Sequence, residues 1–120
     1  MSGSRVTITV SGPYGQYTVE ASVDLGATFT SMPAPALIEL GIEPHRVVRL
    51  QSDGRGVQFR QLGRALATVG GQEDVTPVLF GEPGEPAVIG ATTLAILLLR
   101  WDRDALALFP IEAQRGLASA

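Results

Sequence analysis

Apolar and polar residues alternate with a period of two along much of this chain. Val6, Ile8 and Val10 alternate with Thr7 and Thr9, and beyond Ser11-Gly12-Pro13-Tyr14-Gly15 the pattern resumes, with Tyr17, Val19, Ala21 and Val23 set against Thr18, Glu20 and Ser22. That period puts one set on each face of a strand, so the two segments predict a hairpin with one face in a core. Residues 29–32 predict a short strand broken by Pro33 and Pro35, and residues 36–40 before Gly41 predict a short helix with a glycine stop. Val47, Val48 and Leu50 lead into Ser52-Asp53-Gly54, and Val57 and Phe59 alternate beyond it, which predicts a second hairpin turning on Asp-Gly with both turn residues at positive φ. Residues 64–69 and 75–80 read as two more strands joined by Gly70-Gly71, and residues 81–86 as a polar loop. Residues 92–99 read as a mainly apolar helix, 101–104 as a turn and 105–109 as a last strand. The class predicted is all-β, or mainly β, with one short C-terminal helix.

Composition narrows the function classes. A chain of 120 residues is one domain, with a core expected over about 5–110 and a tail over 111–120. The net charge is −3 and all nine basic residues are arginines without a basic stripe, which argues against nucleic acid as a partner. The absence of cysteine excludes disulfides, thiol catalysis and cysteine-ligated metals. No signal-like segment is visible at the N-terminus, and the longest apolar run, 94–99, falls far short of the roughly 20 residues that span a bilayer. The expectation is a cytoplasmic protein with no membrane association.

Candidate chemistry centres on Asp24, which continues the polar face of its strand into Leu25, Gly26, Ala27 and Thr28. Gly26 admits backbone angles closed to other residues, so a carboxylate at the strand end can be held beside a tight loop; an Asp that merely starts a turn is the alternative. Further along, Val88-Ile89-Gly90-Ala91-Thr92 repeats the pattern of branched apolar residue, Gly, Ala and Thr. The two Gly-Ala-Thr triplets lie 64 residues apart, which suggests an internal duplication. Only the first copy carries an acid, since the position matching Asp24 is Val88. The single histidine, His45, reads as a solvated loop residue between Pro44 and Arg46, and Asp102 and Asp104 as solvated turn charges.

Taken together, these motifs resemble the retropepsin-like aspartic peptidases over about residues 6–110. The family's Asp-Thr/Ser-Gly-Ala corresponds to Asp24-Leu25-Gly26-Ala27, and its second motif, two apolar residues and a Gly before a helix, corresponds to Val88-Ile89-Gly90. The family's glycine-containing flap corresponds to residues 51–59, with its tip at Asp53, Gly54, Arg55 and Gly56. The resemblance implies a closed acid-protease barrel acting as a homodimer on extended polypeptide without metal or organic cofactor. Asp24 of each subunit would activate water, residues 25–28 would form the active-site loop, and the flap with Val88 and Ile89 would hold substrate. Terminal strands, residues 6–10 and 106–110, would interleave between subunits. Leu25 departs from the family's hydroxyl residue, which bonds across the dimer, and Thr28 and Ala91 replace an Asp and an Arg of the viral members. The alternatives are a catalytically silent domain of the same fold that dimerises or binds peptide, and an unrelated small β-barrel.

Overall fold

In a computed structural model, which describes residues 5–52, 54 and 56–112, the alternating segments form a mixed sheet that nearly rings round on itself. Strands β1 (Arg5–Gly12) and β2 (Gly15–Val23) make the first hairpin, with Arg5 opposite Ser22 and Gly12 opposite Gly15. Then follow β3 (Thr30–Pro33), helix α1 (Ala34–Glu39), β4 (Arg46–Ser52), β5 (Gly56–Val69), β6 (Gln72–Gly81) and β7 (Val88–Ile89). Helix α2 (Ala91–Ile96) precedes a separate ribbon of β8 (Leu99–Asp102) and β9 (Ala107–Pro110). The order β1-β2-β7-β3-β6-β5-β4 becomes a ring because β5 also pairs with β1, Ile8 lying opposite Val69. The pairs β2–β7 and β3–β6 are parallel and the other pairings antiparallel.

The period of two predicts the inside of the ring. Ile8, Val10 and Ala21 are buried, as are Ala67, Val69, Val78 and Ile89, while Thr7, Thr18 and Glu20 face out. Leu37 of α1 and Leu94 of α2 close over this core. Helix α1 starts two residues earlier than expected, because Pro35 falls in the first turn, where its missing N–H has no helical partner to lose. The predicted stop holds: Gly41 has φ 81°.

Other boundaries differ from expectation for physical reasons. Residues 57–69 form one strand rather than two. Gly63, between the two predicted segments, lets the backbone of β5 come close to that of Glu43: a Cβ there would lie 3.0 Å from the Glu43 carbonyl oxygen. Helix α2 ends at Ile96 rather than at 99; Leu98 takes φ 59°, a left-handed stop normally given to glycine, and so leaves no signal in the sequence. Trp101 and Asp102, expected in a turn, belong to β8, and the last strand starts at Ala107. The first terminal strand is not an open edge: over residues 8–11, β1 is paired on one side with β2 and on the other with β5. Among the described residues, no helix is long and apolar enough to cross a membrane.

Asp102 organises the turn between β8 and β9, its Oδ1 accepting the N–H groups of Asp104 and Ala105, both at 2.9 Å. The bond from Ala105 leads in holding its carboxyl below the usual aspartate value of 3.8, with that from Asp104 and the nearby Arg100 charge adding to it. A carboxyl whose folded pKa is depressed stabilises the fold above its unfolded pKa, and the contribution disappears as pH falls through the folded value. We expect an NMR titration of Asp102 to show a midpoint below 3.8, and the amides of Asp104 and Ala105 to move with it.

Candidate active site

Asp24 leaves the end of β2 at the rim of the ring. Its backbone N–H bonds the Ile89 carbonyl at 3.0 Å and its own carbonyl accepts the Ala27 N–H at 3.1 Å, closing a four-residue turn. Within that turn Oδ1 accepts the Gly26 N–H at 2.9 Å. The role expected of Gly26 changes here. It is not among the residues with positive φ; a Cβ on it would stand 3.3 Å from Asp24 Oδ1, so its value lies in leaving room for the carboxylate to fold back over the turn. Asp24, Leu25, Gly26 and Thr28 are all exposed.

The two Gly-Ala-Thr triplets lie side by side. The Ala91 N–H bonds the Ala27 carbonyl at 2.8 Å and the Thr92 N–H the Thr28 carbonyl at 3.0 Å, so the copies match residue for residue. Gly90 makes this approach possible, because a Cβ there would fall 2.5 Å from the Phe29 carbonyl carbon and oxygen. Beneath the loops three fully buried threonines are linked: Thr30 Oγ1 to Thr93 Oγ1 at 2.6 Å and Thr93 Oγ1 to Thr76 Oγ1 at 2.7 Å, with the Gly90 N–H donating to Thr30 Oγ1 at 3.1 Å. One direction satisfies every member: Gly90 donates to Thr30, Thr30 to Thr93, Thr93 to Thr76, and Thr76 at 3.4 Å to the Pro77 carbonyl. The relay ties β3, β6 and α2 to the loop beside Asp24.

Asp24 opens onto a cleft of about 570 Å³ lined by Gly26, Ala27, Thr28, Phe29 and Val88 on one side and by Arg49, Leu50, Gln51, Gln58 and Arg60 of the β4–β5 hairpin on the other. Among the described residues of the hairpin, those that line the cleft belong to its shaft. Gly54 and Gly56, at φ 81° and 69°, lie outside the lining, and Asp53 and Arg55 lie outside the described residues. Ser52 pairs with Gly56 at the outer end of the hairpin ladder. Leu25 is 49% exposed but does not line the cleft, and Ile89, expected beside Val88 at the substrate, is fully buried because alternate residues of β7 face opposite ways.

Two cleft residues went unnoticed in the sequence. Arg60, only 7% exposed, pairs with Glu85 at 2.7 Å, and Ser31 Oγ is the one buried side-chain polar atom without a hydrogen-bond partner among the described residues. Nothing local marks an arginine in an alternating strand or a glutamate in a proline-rich loop as partners, and the alternation points the wrong way: Arg60 shares its face with Gln58, opposite Val57 and Phe59, yet Val57 and Phe59 are exposed and Arg60 is buried. Among the described residues, Asp24 and Glu85 are the acids of the cleft, and Glu85 is engaged by Arg60, so of these two Asp24 is the carboxylate placed for acid–base work. Among the described residues no three His, Asp or Glu side chains converge to hold a metal ion.

The hydroxyl relay yields a direct test. Thr93→Val preserves shape but leaves the Thr30 and Thr76 hydroxyls short of a partner in a dry site, and we expect it to cost about 1–3 kcal/mol in urea-induced unfolding.

No protein-family model matches the chain, and no curated protein matches it significantly.

Proposed function

We propose that two copies of this chain form a retropepsin-like aspartic endopeptidase that hydrolyses extended polypeptide, with Asp24 of each subunit facing its twin across a two-fold axis. The observation that carries this reading is Asp24 itself: a carboxylate on a tight turn at a strand end, opening onto a cleft walled by a β-hairpin. The chemistry then calls for the second copy. Two facing carboxylates share one proton, because like charges a few ångströms apart resist joint ionisation. The ionised one takes a proton from water while the protonated one donates to the scissile carbonyl oxygen. Water oxygen bonds the carbonyl carbon, and collapse of the tetrahedral adduct breaks the C–N bond as the amine leaves with a proton. An extended substrate lies between the loop at residues 25–28 and the hairpin, whose backbone can bond it as an added strand. On this reading the outer edges of β8 and β9, which among the described residues pair only with each other, are where the twin's terminal strand adds.

Leu25 favours a second reading, a silent domain of the same kind that dimerises or binds peptide. Its 49% exposure beside Asp24 offers apolar contact to the twin loop where a hydroxyl would have offered a hydrogen bond. The readings separate by assay. Against an unfolded protein substrate between roughly pH 4 and 7, the peptidase is expected to lose at least about 10²–10⁴-fold in rate on Asp24→Asn, and to sediment as a dimer. Cleavage that survives Asp24→Asn, or a protein monomeric at assay concentration, would sink the proposal. A dimer inert as wild type but active as Leu25→Thr would establish the silent domain.

A further inference from the structure

Arg60 is the one charged residue buried among the described residues, and the chemistry assigned to Asp24 does not use it. Its guanidinium is spent on the protein itself. Nη2 donates to Glu85 Oε1 at 2.7 Å and to the Phe80 carbonyl at 3.1 Å; Nη1 donates to Glu85 Oε2 at 3.2 Å and, at 3.5 Å, to Gln58 Oε1. Glu85 accepts the Glu82 N–H at 2.9 Å as well, which fixes the carboxylate within its own loop. A bidentate pair that also holds a backbone carbonyl defines both distance and orientation, which a point charge cannot do.

Where this pair sits gives it meaning. The ladder between β5 and β6 runs outwards only to Leu62, opposite Leu79; beyond it, Gly56–Gln61 pair with β4 alone. Arg60 is thus the outermost hydrogen-bonded tie, among the described residues, between the projecting hairpin and the body of the protein. Arg60, Gln58 and Glu85 all line the cleft that Asp24 opens onto.

We propose that Arg60 and Glu85 are positioning residues that set the angle of the β4–β5 hairpin over Asp24, and with it the gap that admits an extended polypeptide backbone. Because their charges satisfy each other, the pair selects no charged side chain; it governs how closely the hairpin lies on whatever backbone occupies the cleft. The kinetic consequence rests on the peptidase reading above, whereas the mechanical one does not.

The test uses the full chain as wild type, Glu85→Gln and Arg60→Lys, with amide hydrogen exchange as the first readout and hydrolysis of fluorescein-labelled casein as the second. Glu85→Gln is expected to speed exchange in the shaft of the hairpin, at residues 47–51 and 57–61, by about tenfold or more relative to β1 and β6. Arg60→Lys, which keeps the charge but not the fork, should fall between it and wild type. In an active enzyme KM rises by about tenfold while kcat changes little, the signature of lost binding rather than lost chemistry. Exchange that stays as in wild type in both variants overturns the proposal whether or not the protein is a peptidase. Faster exchange with unaltered KM in an active enzyme overturns the positioning role. If the wild type cleaves nothing in an Asp24-dependent way, the peptidase reading falls, and hairpin exchange alone still decides whether the pair holds the hairpin.

Discussion

A relay of three threonine hydroxyls in the dry centre of the molecule holds the loop that presents Asp24. Each of its bonds contributes only about 1 kcal/mol net, less than the roughly 1.5–3 kcal/mol from burying a neighbouring leucine or valine. Apolar burial therefore drives collapse, and the relay has a different role. A hydroxyl sealed from water without a partner costs about 1–3 kcal/mol, so any packing that separates Thr30 from Thr93, or Thr93 from Thr76, is penalised at each break. With the two loops in contact, all three hydroxyls of the relay are satisfied.

The same constraint explains why the repeated triplets lie together. Gly90 allows a backbone-to-backbone approach, and the Gly90 N–H enters the relay through Thr30, so the second triplet is fixed by the group that anchors the strand after the first. Asp24 inherits its position from this contact through the Ile89 carbonyl, which holds its N–H. Asp24 stands exposed at the rim while the backbone beneath it is held by hydrogen bonds. On the proposed reading that division suits catalysis, which needs its acid held at a defined place.

Charge within the cleft is arranged on similar lines. Arg60 and Glu85 pair in the wall, and among the described residues Asp24 and the exposed Arg49 are the other charged groups of the lining. The described lining thus carries charges of both signs in equal number. On the proposed reading, that balance accords with a polypeptide backbone as the occupant.

Much of the fold was legible because its information is local. Alternation in residues 6–10 and 17–23 fixed strand, face and hairpin together, since a period of two admits one inward set, and Asp24 at the end of such a run was recognisable as a candidate acid. Boundaries set by unusual backbone were not legible: Leu98 stops a helix in a conformation that glycine would have announced, and Gly63 serves a close approach inside a strand that is continuous where two segments were expected. Tertiary structure alone decided that β1 closes the ring against β5, that Ile89 turns inward while Val88 meets the cleft, and that Arg60 finds Glu85. Those outcomes rest on contacts between segments far apart in the chain, Thr30 with Thr93 and Arg60 with Glu85 among them, and residue types and spacing carry no record of such pairings until the chain has closed around them.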